Sequence, residues 1–221
     1  MSKNKRQPDG LSERRIIAIP VTLERRADED GESESRRISG YAAVFNQKTR
    51  IGNYFEEEIM PGAFDECDFS RCVLNFNHDD NILLGRTSSG TLSLDVDEKG
   101  LRFEADLPNT THANDILELI RRGDIEGCSF AFVVRESAWE WLSDEDPAQL
   151  DLRKIVKISD VFDVSVVTHP AYEQTSVDAR SAEADREDHK RAQEAARAEQ
   201  TEFEKQRRER EFQLIQINSY A

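Results

Sequence analysis

Ser129 is the residue around which a hydrolytic site could be built. It opens an apolar and aromatic run, directly after a segment framed by Gly123 and Gly127. Glycine permits positive φ and close backbone approach, so Gly127 could aim backbone N–H groups at a developing oxyanion. The plain alternative is a polar residue that faces water at the start of a strand. Chemistry at Ser129 therefore depends on a base from elsewhere in the chain.

His78 is the candidate for that base, because a neutral imidazole can accept the proton of a serine hydroxyl. It ends an alternating segment, residues 71–80, whose apolar members are expected to face the core and to place His78 at the rim of that core. Asp163 lies in an apolar run, where a carboxylate without a partner is costly to bury. A buried carboxylate can hold an imidazole in one tautomer. Spacing alone does not select these three residues.

Other residues compete for the same roles. Asp160 and His169 are alternatives to Asp163 as the group that orients the imidazole. Cys128 paired with His78 is a rival nucleophile, although a buried cysteine usually acts as a small apolar residue. No set of histidine, cysteine and carboxylate residues has metal-site spacing, and no glycine-rich phosphate loop is present, so no metal or cofactor is expected. The remaining histidines are interpreted as surface residues: His112 and His189.

The elements that must position these side chains are mostly strands. Pro20 indicates that the first strand is an edge strand or contains a bulge. In the last strand, Asp163 is expected to share a face with Val161 and Ser165. A turn at residues 60–64 is expected to open a short helix. Antiparallel strands in series predict a barrel or a sandwich. The predicted strands are residues 15–23, 38–45, 52–59, 71–80, 82–86, 91–96, 101–107, 130–135 and 154–167.

One helix is predicted between the strands, and it delivers the chain to Ser129. Asn109, Thr110 and Thr111 offer N-cap side chains, and Gly123 suits the position after the helix. One helical face carries four apolar residues, and the last turn carries two arginines that complement the helix dipole. The apolar residues are Ala113, Ile116, Leu117 and Ile120.

The length and composition limit the number of domains, the classes of partner and the cellular setting. The 221 residues suffice for one sizeable domain with extensions, and we expect a disordered arm at 1–13, a domain at 14–178 and a charged tail at 179–221 that is helical or partly disordered. A net charge of −15 disfavours nucleic acid binding. Three cysteines imply no disulfide framework, and no apolar segment approaches the length of a membrane span, so a reducing, cytoplasmic setting is expected.

Five short motifs in a fixed order resemble the prohead maturation proteases of tailed bacteriophages of the HK97 type. That family is similar in fold to the herpesvirus assemblins, and residues 74–78 (LNFNH) and 82–86 (ILLGR) look like the assemblin segment around its first catalytic histidine. The resemblance covers roughly residues 15 to 178. The five motifs are residues 38–45 (ISGYAAVF), 59–64 (IMPGAF), 77–79 (NHD), 127–130 (GCSF) and 163–167 (DVSVV), the last followed by Pro170 and Ala171.

The resemblance implies a serine endopeptidase of mixed α/β (α+β) class, with a mostly antiparallel β-barrel core, surrounding helices and a charged helical C-terminal tail. It implies His78 as general base, Ser129 as nucleophile and Asp163 as the third member, with Asp160 and His169 as competitors. In this sequence Cys128 stands where the family usually has an apolar residue, and the 139–152 insertion lies outside the motifs.

The resemblance also implies where the protein works and on what. The expected substrates are the major capsid protein, the scaffold or delta segment and the protease itself, inside a procapsid in the bacterial host cytoplasm. A homodimer is possible, and neither nucleic acid nor a membrane is expected as a partner. The alternative is a catalytically silent scaffolding protein that fills the procapsid with its acidic tail. A general esterase is disfavoured, because the sequence lacks a G-x-S-x-G elbow.

Overall fold

The computed structural model describes residues 12–17, 21–23, 35–125, 127–144, 146, 148–168 and 175–219. For residues 12–14, 16–17, 175–184 and 208–219 it describes the backbone alone. The chain divides into two compact units, Met1–Thr175 and Ser176–Ala221. The boundaries predicted at 13/14 and 178/179 stay predictions.

The described residues of the first unit form strands, one α-helix and two short 3₁₀ turns at Thr87–Ser89 and Leu142–Asp144. The helix, α1, spans Thr111–Arg122. The strands are β1 (Ser12–Ile17), β2 (Thr22–Leu23), β3 (Arg37–Val44), β4 (Thr49–Ile51), β5 (Phe55–Ile59), β6 (Val73–Phe76), β7 (Asp79–Arg86), β8 (Leu92–Val96), β9 (Gly100–Asp106), β10 (Gly127–Glu140) and β11 (Asp151–Val167).

The strands form two sheets. In the large sheet the order is β1-β10-β11-β5-β4. Strand β6 also pairs with β11, and β7 pairs with β6. In the small sheet the order is β2-β3-β9-β8. β11 pairs in parallel with β5 and with β6, and the other named pairs are antiparallel. The mixed α/β class is confirmed, but the predicted barrel is wrong in detail, because the described strands form two sheets and no closed barrel.

One hydrophobic cluster joins both sheets and α1. Phe103 comes from the small sheet, Phe130 and Phe132 come from the large sheet, and Ile116 comes from α1. The rings of Phe130 and Phe132 stack with centroids 4.5 Å apart. Each fully buried side chain of this size contributes about 1.5–3 kcal/mol to folding. The core therefore holds β10, the strand that carries Ser129, in a fixed position.

The prediction of one strand at residues 15–23 is wrong. Residues 15–23 contribute to two strands, because β1 pairs with β10 in the large sheet and β2 pairs with β3 in the small one. Both strands lie at sheet edges, as Pro20 indicated, although Pro20 itself is outside the described residues. Ser12 and Glu13 of the predicted arm belong to β1, and residues 1–11 are not described.

Helix α1 follows the prediction closely. The Thr110 hydroxyl accepts the backbone N–H of Ala113 at 3.3 Å, and Gly123 adopts a left-handed φ of 80° after the last turn. The four predicted apolar residues are buried. Because the capping residues and the apolar period are both local, the sequence was sufficient to predict this element.

Two other predictions need correction. Residues 60–64 form hydrogen-bonded turns and open no helix, as the 3.0 Å bond from Ala63 N to Met60 O illustrates. The strand predicted at 52–59 is found as β5 only from Phe55, because residues 52–54 form the turn of the β4–β5 hairpin. The 139–152 insertion extends the β10–β11 hairpin, where Trp139 stacks on Trp141 at 4.8 Å.

The described part of the second unit is one long helix. Helix α2 spans Thr175–Ser219, 45 residues, and its described side chains, residues 185–207, are mostly exposed. At 1.5 Å per residue it is about 67 Å long. Of the two alternatives predicted for this segment, the helical one is found. No helix of the described residues is both long enough and apolar enough to cross a membrane.

Candidate active site

His78 lies in the tight turn between β6 and β7. Phe76 pairs with Asp79, so Asn77 and His78 form a two-residue loop. Their φ angles are 52° and 59°. Two-residue hairpin loops of type I′ require positive φ at both positions, which asparagine tolerates better than histidine does. The predicted strand at 71–80 therefore breaks before His78, which the turn leaves at the rim of the core as expected.

A buried serine on β11 holds this turn. The backbone N–H of His78 donates to Ser165 Oγ at 2.9 Å, and Ser165 Oγ donates to the Asn75 carbonyl at 3.3 Å. Ser165 is fully buried. No role was predicted for it from the sequence. Its signal in the sequence is a hydroxyl in an apolar strand, two residues after Asp163.

Asn77 ties the turn to the end of β11. Its backbone N–H donates to the Val166 carbonyl at 3.0 Å, and its side-chain Oδ1 accepts the backbone N–H of Thr168 at 3.1 Å. These bonds and the Ser165 contact attach the turn to β11 at several points. The imidazole is therefore presented from a restrained backbone.

Ser129 and Asp163 reach the same face of the large sheet through the β10–β11 register. Ser129 lies opposite Ser165 and Ala131 lies opposite Asp163, and residues opposite each other in a ladder share a face. A bulge follows, because Phe132 is opposite Val161 and Phe162 is the extra residue. The prediction that Asp163 shares a face with Val161 is wrong for this reason: the bulge turns Asp163 away from the core.

The structure brings His78, Ser129 and Asp163 together. His78 Nδ1 lies 2.8 Å from Asp163 Oδ2, and His78 Nε2 lies 2.7 Å from Ser129 Oγ. The histidine side chain is 11 % exposed and the aspartate side chain 7 %, while Ser129 is fully buried. Both distances are those of good hydrogen bonds. The cluster is therefore a continuous chain from carboxylate through imidazole to hydroxyl.

This arrangement favours one tautomer of the imidazole. A carboxylate accepts hydrogen bonds, so Asp163 favours the proton on Nδ1 and leaves the lone pair of Nε2 directed at Ser129 Oγ. The other carboxylate oxygen, Asp163 Oδ1, is buried and has no hydrogen-bond partner among the described residues. The cluster is thus suited to remove a proton from the serine hydroxyl and to stabilise the imidazolium that results.

The comparison with protein families identifies the chain. Residues 21–190 match the family model described as caudovirus prohead serine protease. The chain belongs to the caudovirus prohead serine protease family. No curated protein and no solved structure matches the sequence. The predicted resemblance is confirmed, and the span matched by the family model contains His78, Ser129 and Asp163 but not β1.

Asp160, one of the two residues that competed with Asp163, takes no part in the hydrogen bonds of the cluster. Asp160 lies opposite Val133 and forms an ion pair with Arg71 at 3.9 Å. His169 is outside the described residues, as are Pro170 and Ala171, where oxyanion donors were considered. Gly127 lies in β10 opposite Val167. The two remaining histidines are in the helices, His112 in α1 and His189 in α2.

Cys128 is poorly suited to act as the nucleophile. It is fully buried in the hydrophobic cluster, on the face of β10 opposite to Ser129. Burial, with the charge of Asp163 as a second cause, raises the pKa of its thiol far above the ordinary value. Burial likewise raises the pKa of Cys72 to about 12. Both thiols are therefore protonated at neutral pH.

Among the described residues, no group of three or more possible metal ligands occurs.

Arg15 of β1 makes a contact with Ser129 that the sequence did not predict. Ser129 Oγ donates to the Arg15 carbonyl at 2.9 Å, and β1 covers the edge of β10 at this point. The Arg15 guanidinium is also buried and bonds to Glu57 on β5. No motif connects these three residues, which lie in separate strands of the large sheet.

Proposed function

We propose that this prohead protease cleaves peptide bonds with Ser129 as nucleophile, His78 as general base and acid, and Asp163 as the group that orients the imidazole. In this mechanism Ser129 Oγ attacks the scissile carbonyl carbon while its proton passes to His78 Nε2. His78 then returns the proton to the leaving amine, and water hydrolyses the acyl-enzyme by the same steps in reverse order. The hydrogen-bond chain through His78, at 2.8 and 2.7 Å, is the observation that carries the proposal.

The surroundings of the cluster support this assignment electrostatically. Both partners of the His78–Asp163 pair are nearly buried, so a positive imidazole would interact with the carboxylate more strongly than in water. The positive charge appears only after His78 has taken the proton, and stabilisation of that form lowers the barrier to attack. Ser165 would act as a positioning residue, through its bond to the His78 backbone.

The proposed substrates are the proteins of the procapsid. Membership of the prohead protease family supports the major capsid protein and the scaffold or delta segment as substrates, followed by self-processing. The proposed place of action is the interior of the procapsid, in the cytoplasm of the bacterial host. A homodimer is the proposed form, as the assemblin resemblance suggested, and the charged helix α2 is the proposed site of self-processing.

Co-expression with the phage major capsid protein tests the proposal. The wild type, Ser129→Ala and the control Ser137→Ala, eight residues further along β10, are each expressed with the capsid protein, and the mass of the capsid protein is followed over time. We expect processing by the wild type and by Ser137→Ala, and a loss of several orders of magnitude in rate with Ser129→Ala. Processing that survives in Ser129→Ala would exclude Ser129 as the nucleophile.

The silent scaffolding protein remains the second candidate, and two observations favour it. Ser129 is fully buried, so no substrate reaches its Oγ while β1 lies in place. The long helix α2, whose described side chains at 185–207 are mostly exposed, also suits a filling role. Absence of processing by all three forms of the chain, with the capsid protein assembled, would favour this candidate over the protease.

A further inference from the structure

Strand β1 has the relation to Ser129 that a bound peptide would have. It is extended and antiparallel to β10, with Ile16 opposite Ser129 and the Arg15 carbonyl 2.9 Å from Ser129 Oγ. Peptides commonly bind by adding a strand to a sheet edge, where backbone hydrogen bonds hold them. The carbonyl beside the nucleophile belongs to Arg15, so the peptide bond in register with Ser129 is the one between Arg15 and Ile16.

The Arg15 side chain occupies a built pocket. Its Nε and Nη2 atoms both bond to the Glu57 carboxylate, the second at 2.8 Å, and the two side chains are 6 % and 3 % exposed. The guanidinium carbon lies 5.7 Å from the centroid of the Phe132 ring. Two-point bonding to a carboxylate and stacking on a ring both match the planar guanidinium and not the ammonium of lysine. The pocket is therefore selective for arginine.

The Glu57 carboxylate of this pocket also has a second cationic partner. Arg153 Nη1 lies 3.1 Å from Glu57 Oε2, so the buried carboxylate keeps one cationic partner when Arg15 leaves. A buried charge with no partner would oppose opening strongly. Glu57 is thus placed to exchange one guanidinium for another.

β1 also diverts the proton of the nucleophile. Ser129 Oγ has one proton and two neighbours that can accept it, the Arg15 carbonyl at 2.9 Å and His78 Nε2 at 2.7 Å. While the proton is given to Arg15, it is not available to His78. The resting chain is therefore both covered and poorly activated at Ser129.

We propose that β1 fills the peptide-binding groove along β10, and that substrates displace it as an extended strand with an arginine in the place of Arg15. Glu57 is then the specificity-determining residue. The inference rests on the proposed function. Cleavage would break the C–N bond after that arginine, with the acyl group passing to Ser129 Oγ and then to water, and the proton passing through His78 to the new amine.

Labelling of the full chain with a fluorophosphonate tests the occupancy of the groove. The rate of reaction at Ser129, located by the mass of the labelled peptide, is compared among the wild type, Arg15→Gln and the control Arg50→Gln, an exposed arginine on β4. We expect Arg15→Gln to react at least tenfold faster, since it loses the anchor in Glu57, and Arg50→Gln to react as the wild type does. Equal rates in all three would overturn the occupancy by β1.

A mixture of unstructured peptides tests the specificity. The full-length Arg15→Gln protein is incubated with peptides that differ at one central residue, and the cleaved bonds are identified by mass spectrometry. We expect cleavage after arginine to exceed cleavage after lysine or glutamine at least tenfold. In the same background Glu57→Gln should lower cleavage after arginine about tenfold to a hundredfold, whereas Glu56→Gln, its neighbour on β5, should not.

The outcomes separate this inference from the proposed function. Cleavage without a preference for arginine, or an arginine preference that Glu57→Gln leaves intact, would overturn the inference while the protease assignment stands. If Glu57→Gln does not fold, Glu57→Asp supplies the test, since a shortened carboxylate should lose discrimination between arginine and lysine. No reaction at Ser129 in any form, Arg15→Gln included, would overturn the proposed function itself and this inference with it.

Discussion

Asp163→Asn is the substitution that most directly tests how the cluster works. The asparagine has nearly the same shape, but it removes the negative charge beside His78 Nδ1. The fold is expected to persist, because Asp163 Oδ1 makes no hydrogen bond with the described residues that asparagine would lose. A loss of activity in this variant therefore reports on the charge and on the tautomer of the imidazole.

The expected magnitude follows from the burial of the pair. The side chains of His78 and Asp163 are 11 % and 7 % exposed, so the effective dielectric constant between them is that of a protein and not that of water. For charges about 4 Å apart at an effective dielectric constant of about 20, the interaction is about 4 kcal/mol. This stabilisation acts on the imidazolium of the transition state, and its loss corresponds to about a thousandfold in rate.

The assay measures the rate of Ser129 phosphonylation and the rate of capsid-protein cleavage in parallel. Asp160→Asn is the matched control, because it lies three residues away on β11 and pairs with Arg71 at the surface. Thermal unfolding of both variants checks the fold. A loss of less than tenfold in Asp163→Asn, with the fold intact, would refute the role assigned to this carboxylate. A comparable loss in Asp160→Asn would refute the choice between the two aspartates.

Three further predictions concern the rest of the fold. Because burial raises the pKa of Cys128, treatment of the folded protein with iodoacetamide at pH 8 should leave cleavage intact, and inactivation would restore Cys128 as a nucleophile. Gly100→Ala should lower the free energy of unfolding in urea by more than about 4 kcal/mol, since the added Cβ would lie 2.1 Å from the Ala43 carbonyl oxygen. Gly90→Ala has open space around the added Cβ at φ 70°, so it should lower this free energy by about 1–2 kcal/mol. Thr110→Ala should cost about 1 kcal/mol in the same measurement, and no change would contradict its role as N-cap.

Local signals account for the parts of the fold that the sequence predicted. Helix α1 depends on Thr110, Gly123 and an apolar period, all of which lie within fifteen residues of one another. The strands predicted at 91–96 and 101–107 likewise correspond to β8 and β9, which pair as neighbours in the chain. The assignment of residues 15–23 to one strand failed, because both halves suit a strand and only distant partners, β10 and β3, decide that they belong to different sheets.

The candidate site was predictable in its residues and not in its geometry. The motifs indicated His78, Ser129 and Asp163, which the structure brings within hydrogen-bond distance, while their roles stay predictions. The bulge at Phe162 was not predictable, because the pattern of apolar and polar residues in β11 does not show where an extra residue is inserted. The contact of Ser129 with Arg15 joins positions 114 residues apart, and no pattern in the sequence connects them.

The left-handed turn at Asn77 and His78 gives the fold a local weakness. Histidine at φ 59° holds a backbone conformation that costs of order 1–3 kcal/mol, and glycine would adopt it without that cost. A chain that had no use for the imidazole would become more stable by replacing His78 with glycine. The protein thus holds the proposed base at the expense of its own resistance to unfolding, and the β6–β7 hairpin is where a more stable form without the imidazole would first arise.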